Sequence, residues 1–321
     1  MDLEQTAIAR IREAAHMSEK LYHLPLVVTD SGGKDSSVCV ALAERSGVNF
    51  EAQHNLTTAD APETVYFVRK KFHRMEDQGI KCSISYPKYK GIPVTMWSLI
   101  PQKLIPPTRL ARYCCDILKE QGGKGRFIVT GVRWAESVNR KNQRGIYESV
   151  PSKARNRIIL TNDNDDRRLL FESCSMKGQR VCNPIIDWSD RDIWDYIHAE
   201  HIPVNSLYSC GFNRVGCIGC PMASKARWKE FGRYPKYQDM YVHAFERMLG
   251  ERKRRGRPVA WKTAEEVFHW WMEDGILPGQ IGFDEWMQDG VMADQTDADG
   301  AERITKIPPP EHKEATKEDA A

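Results

Sequence analysis

Hydrophobic and polar positions along the chain fall into two rhythms. Short apolar or alternating runs at "PLVVTD", "NFEAQHNL", "KCSISYP" and "RFIVTGV" read as strands. Between them, "PETVYFVRKKFHRMEDQ" and "CCDILKEQ" read as helices, and the opening "MDLEQTAIARIREAAH" begins an amphipathic, charged helix assigned to residues 1–22. Strands alternating with helices predict an α/β fold, a doubly wound, mostly parallel sheet covered on both faces, over residues 23–225. Within it, "DWSDRDIWDYIHAEHIP" carries Ser189 as an N-cap and acidic residues in its first turn, and the helix ends before Pro203. Residues 141–180, with "NDNDDRR" inside, read as an inserted polar loop. Residues 226–290 turn helical again in "KYQDMYVHAFERMLGERKRR" and "TAEEVFHWWMEDG", and residues 291–321 hold few apolar positions and read as a disordered tail.

Composition adds a folded core, since 41% of the 321 residues are hydrophobic. The net charge of +3 is nearly balanced, so partners must be read from local clusters. No run reaches the length of a membrane span and the first helix lacks a signal-type apolar stretch, so a cytoplasmic protein without membrane contact is expected. In a reducing compartment nine cysteines point to metal binding or catalysis rather than disulfides. Cys39 and Cys82 sit in apolar contexts as core residues, and Cys174 and Cys182 give no pattern. The other five form a pair, Cys114 and Cys115, and a triplet, Cys210, Cys217 and Cys220.

The chemistry concentrates at "VVTDSGGKDSSVCVALAE", residues 27–44. A strand that passes through Gly32-Gly33 into a helix, read from Ser36 to Glu44, leaves backbone N–H groups at the positive end of the helix dipole, an anion site suited to phosphate. The Walker A spacing is absent, so this is a different phosphate loop. In a doubly wound sheet, Ser31 to Ser36, the loop after Asn55 and Gly131-Val132-Arg133 should converge at the carboxyl ends of the strands. Cys217-Ile218-Gly219-Cys220 is a C-x-x-C turn, with Cys210 six intervening residues earlier and Cys114-Cys115 just upstream of the "RFIVTG" strand. Four thiolates without histidine suit a [4Fe-4S] cluster or tetrahedral zinc. In "GERKRRGR", Arg252, Lys253, Arg254 and Arg255 stand in a basic run that can contact DNA, with Trp228, Tyr234, Tyr237 and Trp261 nearby to stack on bases, or can simply be a solvated helix end.

Two resemblances narrow this. Ser31-Gly32-Gly33-Lys34-Asp35-Ser36 resembles the PP-loop of the ATP pyrophosphatase superfamily, whose members split ATP between the α and β phosphates. "GVRWAESVNR" followed by "NPIIDWSDRDIWDYIHAEHIPVNSLYSCGFNRVGCIGC" is similar to the phosphoadenosine phosphosulfate reductase family: Arg133, Ser137 and Arg140 match its G-x-R-x-x-x-S-x-x-R element, and Asp60, Pro62, Glu63 and Thr64 resemble its P-E-T turn. The resemblance covers residues 24–225. It implies that Ser31, Gly32, Gly33 and Ser36 hold phosphates, that Lys34 offsets charge on a leaving pyrophosphate, that Asp35 helps position Mg²⁺ or the loop, and that Arg133 and Arg140 bind nucleotide or acceptor. The chain departs from sulfonucleotide reductases in having no cysteine after residue 226, where their E-C-G-L-H-like segment carries the nucleophile, and in keeping an intact loop with Lys34. The first departure removes the attacking thiolate of that reaction from its usual place, and the intact loop implies ATP as substrate.

Assimilatory adenylylsulfate reductases use a Cys-Cys pair with a C-x-x-C, whereas the Dnd-type DNA phosphorothioation protein looks like this chain in having one upstream cysteine and C-x6-C-x2-C, matching Cys210, Cys217 and Cys220. That resemblance implies a [4Fe-4S] cluster on Cys115, or Cys114, with Cys210, Cys217 and Cys220. The expectation is therefore an ATP pyrophosphatase and sulfurtransferase that adenylates an acceptor, most specifically in DNA phosphorothioation, supplied by a sulfur-donor protein of the cysteine desulfurase type. Its rivals are a sulfonucleotide reductase with a displaced nucleophile, a tRNA thiolase, and a nucleotide-binding subunit without turnover.

Overall fold

The computed structural model describes residues 2–120, 122–123, 125–150, 158–161, 163 and 179–273. Asp2 caps the first helix, α1 (Leu3–Tyr22), by accepting from the Glu4 amide, and the buried Leu26-Val27-Val28 form β1 (Leu26–Thr29). The chain continues through α2 (Lys34–Ser46), β2 (Phe50–Asn55), α3 (Pro62–Asp77) and β3 (Cys82–Ser85). A two-residue hairpin, β4 (Lys88–Tyr89) and β5 (Ile92–Pro93), leads to α4 (Met96–Lys103). A π-helical turn at Cys115–Lys119 precedes β6 (Phe127–Val129), and α5 (Val138–Gln143) precedes β7 (Tyr147–Val150), β8 (Ile158–Leu160) and β9 (Gln179–Cys182). The last described elements are α6 (Asp190–Ala199), α7 (Ala226–Arg233), α8 (Pro235–Arg254) and α9 (Ala264–Glu273).

The sheet order is β3-β2-β1-β6-β9-β7-β8. The first five of these strands run parallel, and β7 and β8 add an antiparallel edge. Strand order therefore reverses between β1 and β6, so the loops after those two strands face each other at the switch point where such sheets bind ligands. Apolar residues of α1, α2, α3 and α6 share one buried core with the sheet, including Ile11, Val38, Leu42, Val68, Phe72 and Ile193. Ser189 caps α6 and exchanges a reciprocal bond with Asp192, as its sequence predicts.

The segment read as an inserted loop, 141–180, is corrected by the structure: it holds the end of α5, the strands β7 and β8, and the start of β9. Its polarity is misleading because Glu148 points inward. That fully buried carboxylate accepts from Arg144 Nε at 2.7 Å, the Gly145 amide at 3.2 Å and Asn183 Nδ2 at 2.8 Å. Residues 151–157 and 164–178 of the segment, with Cys174, lie outside the described residues, as do 274–290 and the expected tail at 291–321. The helices beyond residue 225 pack into the same unit as the sheet. Arg227 donates to the carbonyls of Trp271 and Met272, and the Trp271 indole N–H reaches the Pro107 carbonyl at 2.6 Å. Of the two adjacent tryptophans, Trp271 is buried, while Trp270 is partly exposed against Trp261. Among the described residues no helix is long and apolar enough to cross a membrane.

Candidate active site

The loop between β1 and α2 is shaped from behind. Gly32 adopts φ +74°, and a Cβ there would sit 2.7 Å from Thr64 Cγ2, so only glycine lets the start of α3 approach this closely. Its amide donates to Asp30 Oδ1 at 2.9 Å, and the Ser36 hydroxyl donates to the same oxygen at 3.0 Å. The Ser31 amide in turn donates to Ser36 Oγ at 3.2 Å. Gly33 is the extended N-cap of α2, which starts two residues earlier than the sequence suggests and so carries Lys34 and Asp35 on its first turn.

Four charged side chains meet above that turn. Lys34 Nζ lies 3.1 Å from Asp35 Oδ2 and 3.1 Å from Asp190 Oδ1, while Arg133 donates to Asp35 Oδ1 and Asp190 Oδ1, both at 2.6 Å, and to the Trp188 carbonyl at 3.2 Å. Arg133 is almost completely buried, whereas Asp190 faces solvent. Although partial burial alone would raise the Asp190 carboxyl, the Lys34 and Arg133 cations hold it below the usual carboxylate range. Gly131 makes the approach possible: a Cβ there would meet the Asp35 carbonyl carbon at 2.8 Å. The Lys34 amide donates to the Tyr208 hydroxyl at 2.9 Å. Lys34, Asp35 and Arg133 are thus brought together with Ser31, Gly32, Gly33 and Ser36, whereas Arg140, on α5, pairs with Glu136 instead of the loop.

The second cluster is a thiol pocket. Cys114, Cys115, Cys217 and Cys220 line one cavity with Thr57, Met96, Leu118, Lys119 and Tyr241. The π-helical turn, closed by the Glu120 amide on the Cys115 carbonyl at 3.0 Å, carries both adjacent cysteines and Lys119 to this cavity. On the other side the C-x-x-C turn is pinned by backbone pairing of Ile218 N to Ala59 O at 2.7 Å, by Tyr241 donating to Ile218 O at 2.9 Å, and by Glu230 accepting from Gly219 N at 2.7 Å. Gly219 has φ +73°, and an added Cβ would strike Phe231, Tyr241 and Trp271.

The hydrogen bond from the Cys114 thiol, aided by Arg112 3.4 Å away, brings Cys115 down to about 5, and the same bond with burial pushes Cys114 up. The Cys217, Cys220 and Cys115 sulfurs hold the Lys119 ammonium above its usual range against its burial. Among the described residues no three His, Cys, Asp or Glu side chains are grouped to hold a single metal ion. The donor set, four cysteine sulfurs among the residues that line the cavity, fits a thiolate-bound cluster. Cys210, expected as the fourth ligand, is exposed on the turn that follows Tyr208 and does not line this cavity; Cys114 does.

The basic run ends α8. Arg252 donates to the Leu104 and Pro258 carbonyls, and Arg254 and Arg255 pair with Glu251. Of the stacking candidates, Trp261 is buried and Tyr237 donates to the Asp60 carbonyl, while Trp228 is exposed. Sequence reasoning missed Asp30, Lys71, Asp190, Tyr208 and Lys119. All five stand in quoted stretches, but Asp190 read only as a helix-start acid and the others carried no signal that set them apart from their neighbours.

Residues 25–223 match the phosphoadenosine phosphosulfate reductase domain. An uncharacterized protein of Methanocaldococcus jannaschii is 27% identical over 261 residues, covering 79% of this chain and 54% of the relative, so the chain spans about half the length of that relative. The adenosine 5'-phosphosulfate reductase of Neisseria meningitidis is 44% identical over 67 residues, 19% of this chain and 27% of that enzyme. A solved phosphoadenylyl-sulfate reductase from Candida auris, a phosphate complex, aligns at 17% identity and a TM-score of 0.41 over 66% of this chain and 88% of its own. The matched span holds the loop, Arg133, Asp190 and all four pocket thiols, and through it the chain belongs to the phosphoadenosine phosphosulfate reductase domain family.

Proposed function

We propose that this chain is a PP-loop enzyme that splits ATP into AMP and pyrophosphate to adenylate an acceptor in a sulfur-transfer pathway. The observation that carries the reading is the complete loop with Lys34 and the buried Arg133 side by side at the switch point of the sheet. An acceptor oxygen attacks the α phosphorus, the bond from that phosphorus to the bridging oxygen breaks, and pyrophosphate leaves with the electron pair. Lys34, at the helix start, offsets the charge gathering on that leaving group, and Arg133 offers a planar fork to the α phosphate or the acceptor. The Asp35 and Asp190 carboxylates are the oxygen donors beside Lys34 that suit Mg²⁺.

Cys114, Cys115, Cys217 and Cys220 would hold a [4Fe-4S] cluster, which would supply redox and sulfur-handling chemistry. Four cysteine sulfurs among the residues lining one cavity are the soft donor set that such a cluster takes. DNA phosphorothioation, with a desulfurase-type donor, is the specific pathway proposed; an upstream cysteine meeting Cys217 and Cys220 in one cavity and the run at Arg252, Lys253, Arg254 and Arg255 support it. A second reading, a sulfonucleotide reductase, is favoured by the adjacent pair Cys114-Cys115 meeting the C-x-x-C in one pocket.

The deciding experiment incubates anaerobically purified protein with ATP and Mg²⁺, with and without DNA, and separates pyrophosphate from orthophosphate. AMP with pyrophosphate is expected, with stimulation by DNA. Sulfite released from adenylylsulfate and a thiol, with ATP untouched, would replace this reading by the second.

A further inference from the structure

We infer that Lys71, on α3 and outside the loop, is a positioning residue for the nucleotide. This rests on the proposed reading of the loop as a nucleotide site. Lys71 Nζ lies 2.7 Å from Asp30 Oδ2 and donates to Ser37 Oγ at 2.9 Å, with its aliphatic and charged end over the Phe67 ring. Both partners of the ion pair are buried, Asp30 completely so. Burial alone would push the Asp30 carboxyl up, yet the Lys71 cation together with the Gly32 amide and the Ser36 hydroxyl keeps it below the usual carboxylate range.

The two oxygens of Asp30 divide the work. Oδ2 faces Lys71, and Oδ1 fixes the amide of Gly32 and the hydroxyl of Ser36. Ser36 Oγ then lies 3.1 Å from Ser31 Oγ and accepts from the Ser31 amide. One ammonium therefore sets the backbone orientation at Gly32 and the side chains at Ser31 and Ser36 from behind the loop. A buried ion pair adds little net stability over an apolar pair of the same size, but removing one partner strands a charge. With Lys71 gone, the Asp30 carboxylate must rearrange or take up a proton. Either change releases the loop from the shape in which Asp30 fixes the Gly32 amide and the Ser36 hydroxyl, and through it Ser31.

The test measures dissociation constants and stoichiometry for ATP and for adenylylsulfate by calorimetry, well below each variant's unfolding midpoint. Lys71→Met should weaken the bound nucleotide by about tenfold or more at unchanged stoichiometry, the size typical of coupling through one internal contact. Adding Asp30→Asn, which removes the stranded charge and keeps an oxygen for Gly32, should restore affinity to within about threefold. Lys70→Met, an exposed lysine next to it on the same helix, should change nothing and so controls for net charge. A Lys71→Met protein that binds with wild-type affinity, merely at lower stoichiometry or lower melting temperature, overturns the inference. If Lys71→Met does not fold, Lys71→Arg keeps the charge and alters the reach; severalfold weaker binding supports the inference and unchanged binding overturns it. Wild-type protein that binds nucleotide without forming pyrophosphate defeats the proposed reaction and leaves this comparison standing, whereas wild-type protein that binds neither nucleotide defeats both.

Discussion

The glycine-rich loop comes from six consecutive residues, Ser31 to Ser36, at the junction of β1 and α2, whereas the thiol pocket draws its sulfurs from two segments far apart in the chain, one beside the π-helical turn and one before α7. The loop is held by charge: Asp30 with Lys71 beneath it, and Lys34, Asp35, Arg133 and Asp190 above. The pocket is held by shape, with Gly219 pressed against Phe231, Tyr241 and Trp271. Where such a site reaches the surface, as at the exposed Asp190, the remaining charges can re-pair when one is removed, so function can be lost while the fold survives. A site held by aromatic packing should lose fold and function together.

Several substitutions would break or sharpen that contrast, and the largest effect belongs to the loop. Lys34→Ala should lower pyrophosphate formation by about 10²–10³-fold, as removing one preorganised charge-stabilising donor does, with melting temperature and iron content unchanged. Undiminished turnover in that variant would sink the assignment of Lys34. Next, Cys217→Ser should abolish iron and acid-labile sulfide after anaerobic reconstitution while ATP affinity stays within about threefold, and Cys210→Ser should retain both. Iron lost from Cys210→Ser and kept in Cys114→Ser would reverse the ligand choice. Gly219→Ala then combines a positive φ with overpacking and should lower unfolding free energy by about 2–3 kcal/mol in a denaturant titration. Smallest, Arg254→Gln with Arg255→Gln breaks exposed pairs to Glu251 and should shift stability by less than about 0.5 kcal/mol. In the same double variant, weaker DNA binding with a shallower salt dependence is the outcome that would tie the basic run to nucleic acid.

The contrast also decides what the sequence reveals. Contiguous features were readable: the parallel α/β frame, the loop, the capping of α6 by Ser189, and the cysteines as a group. The edge strands β7 and β8 were not, because Glu148 reads as surface polarity until Arg144, Gly145 and Asn183 are seen around it. Lys71 sits in a helix whose other lysine and arginine neighbours face solvent, and nothing in its local pattern marks it as the partner of Asp30. The pocket was half readable. Spacing gave Cys217 and Cys220, but the choice among Cys114, Cys115 and Cys210 depends on how a wide helical turn aims its side chains, which spacing does not encode.

That wide turn makes chain length itself a functional quantity in one short stretch. From Cys115 to Lys119 the backbone closes i to i+5, accommodating one residue more than an α-helical turn. Deleting a single residue there, even the exposed Asp116, would remove the extra residue and let the segment close as an ordinary α-helical turn, changing the angle at which Cys115 and Lys119 meet the cavity. Substitutions at Asp116 should be tolerated freely while a one-residue deletion is not, so the segment behaves like a reading frame, indifferent to its letters at that position but not to their number.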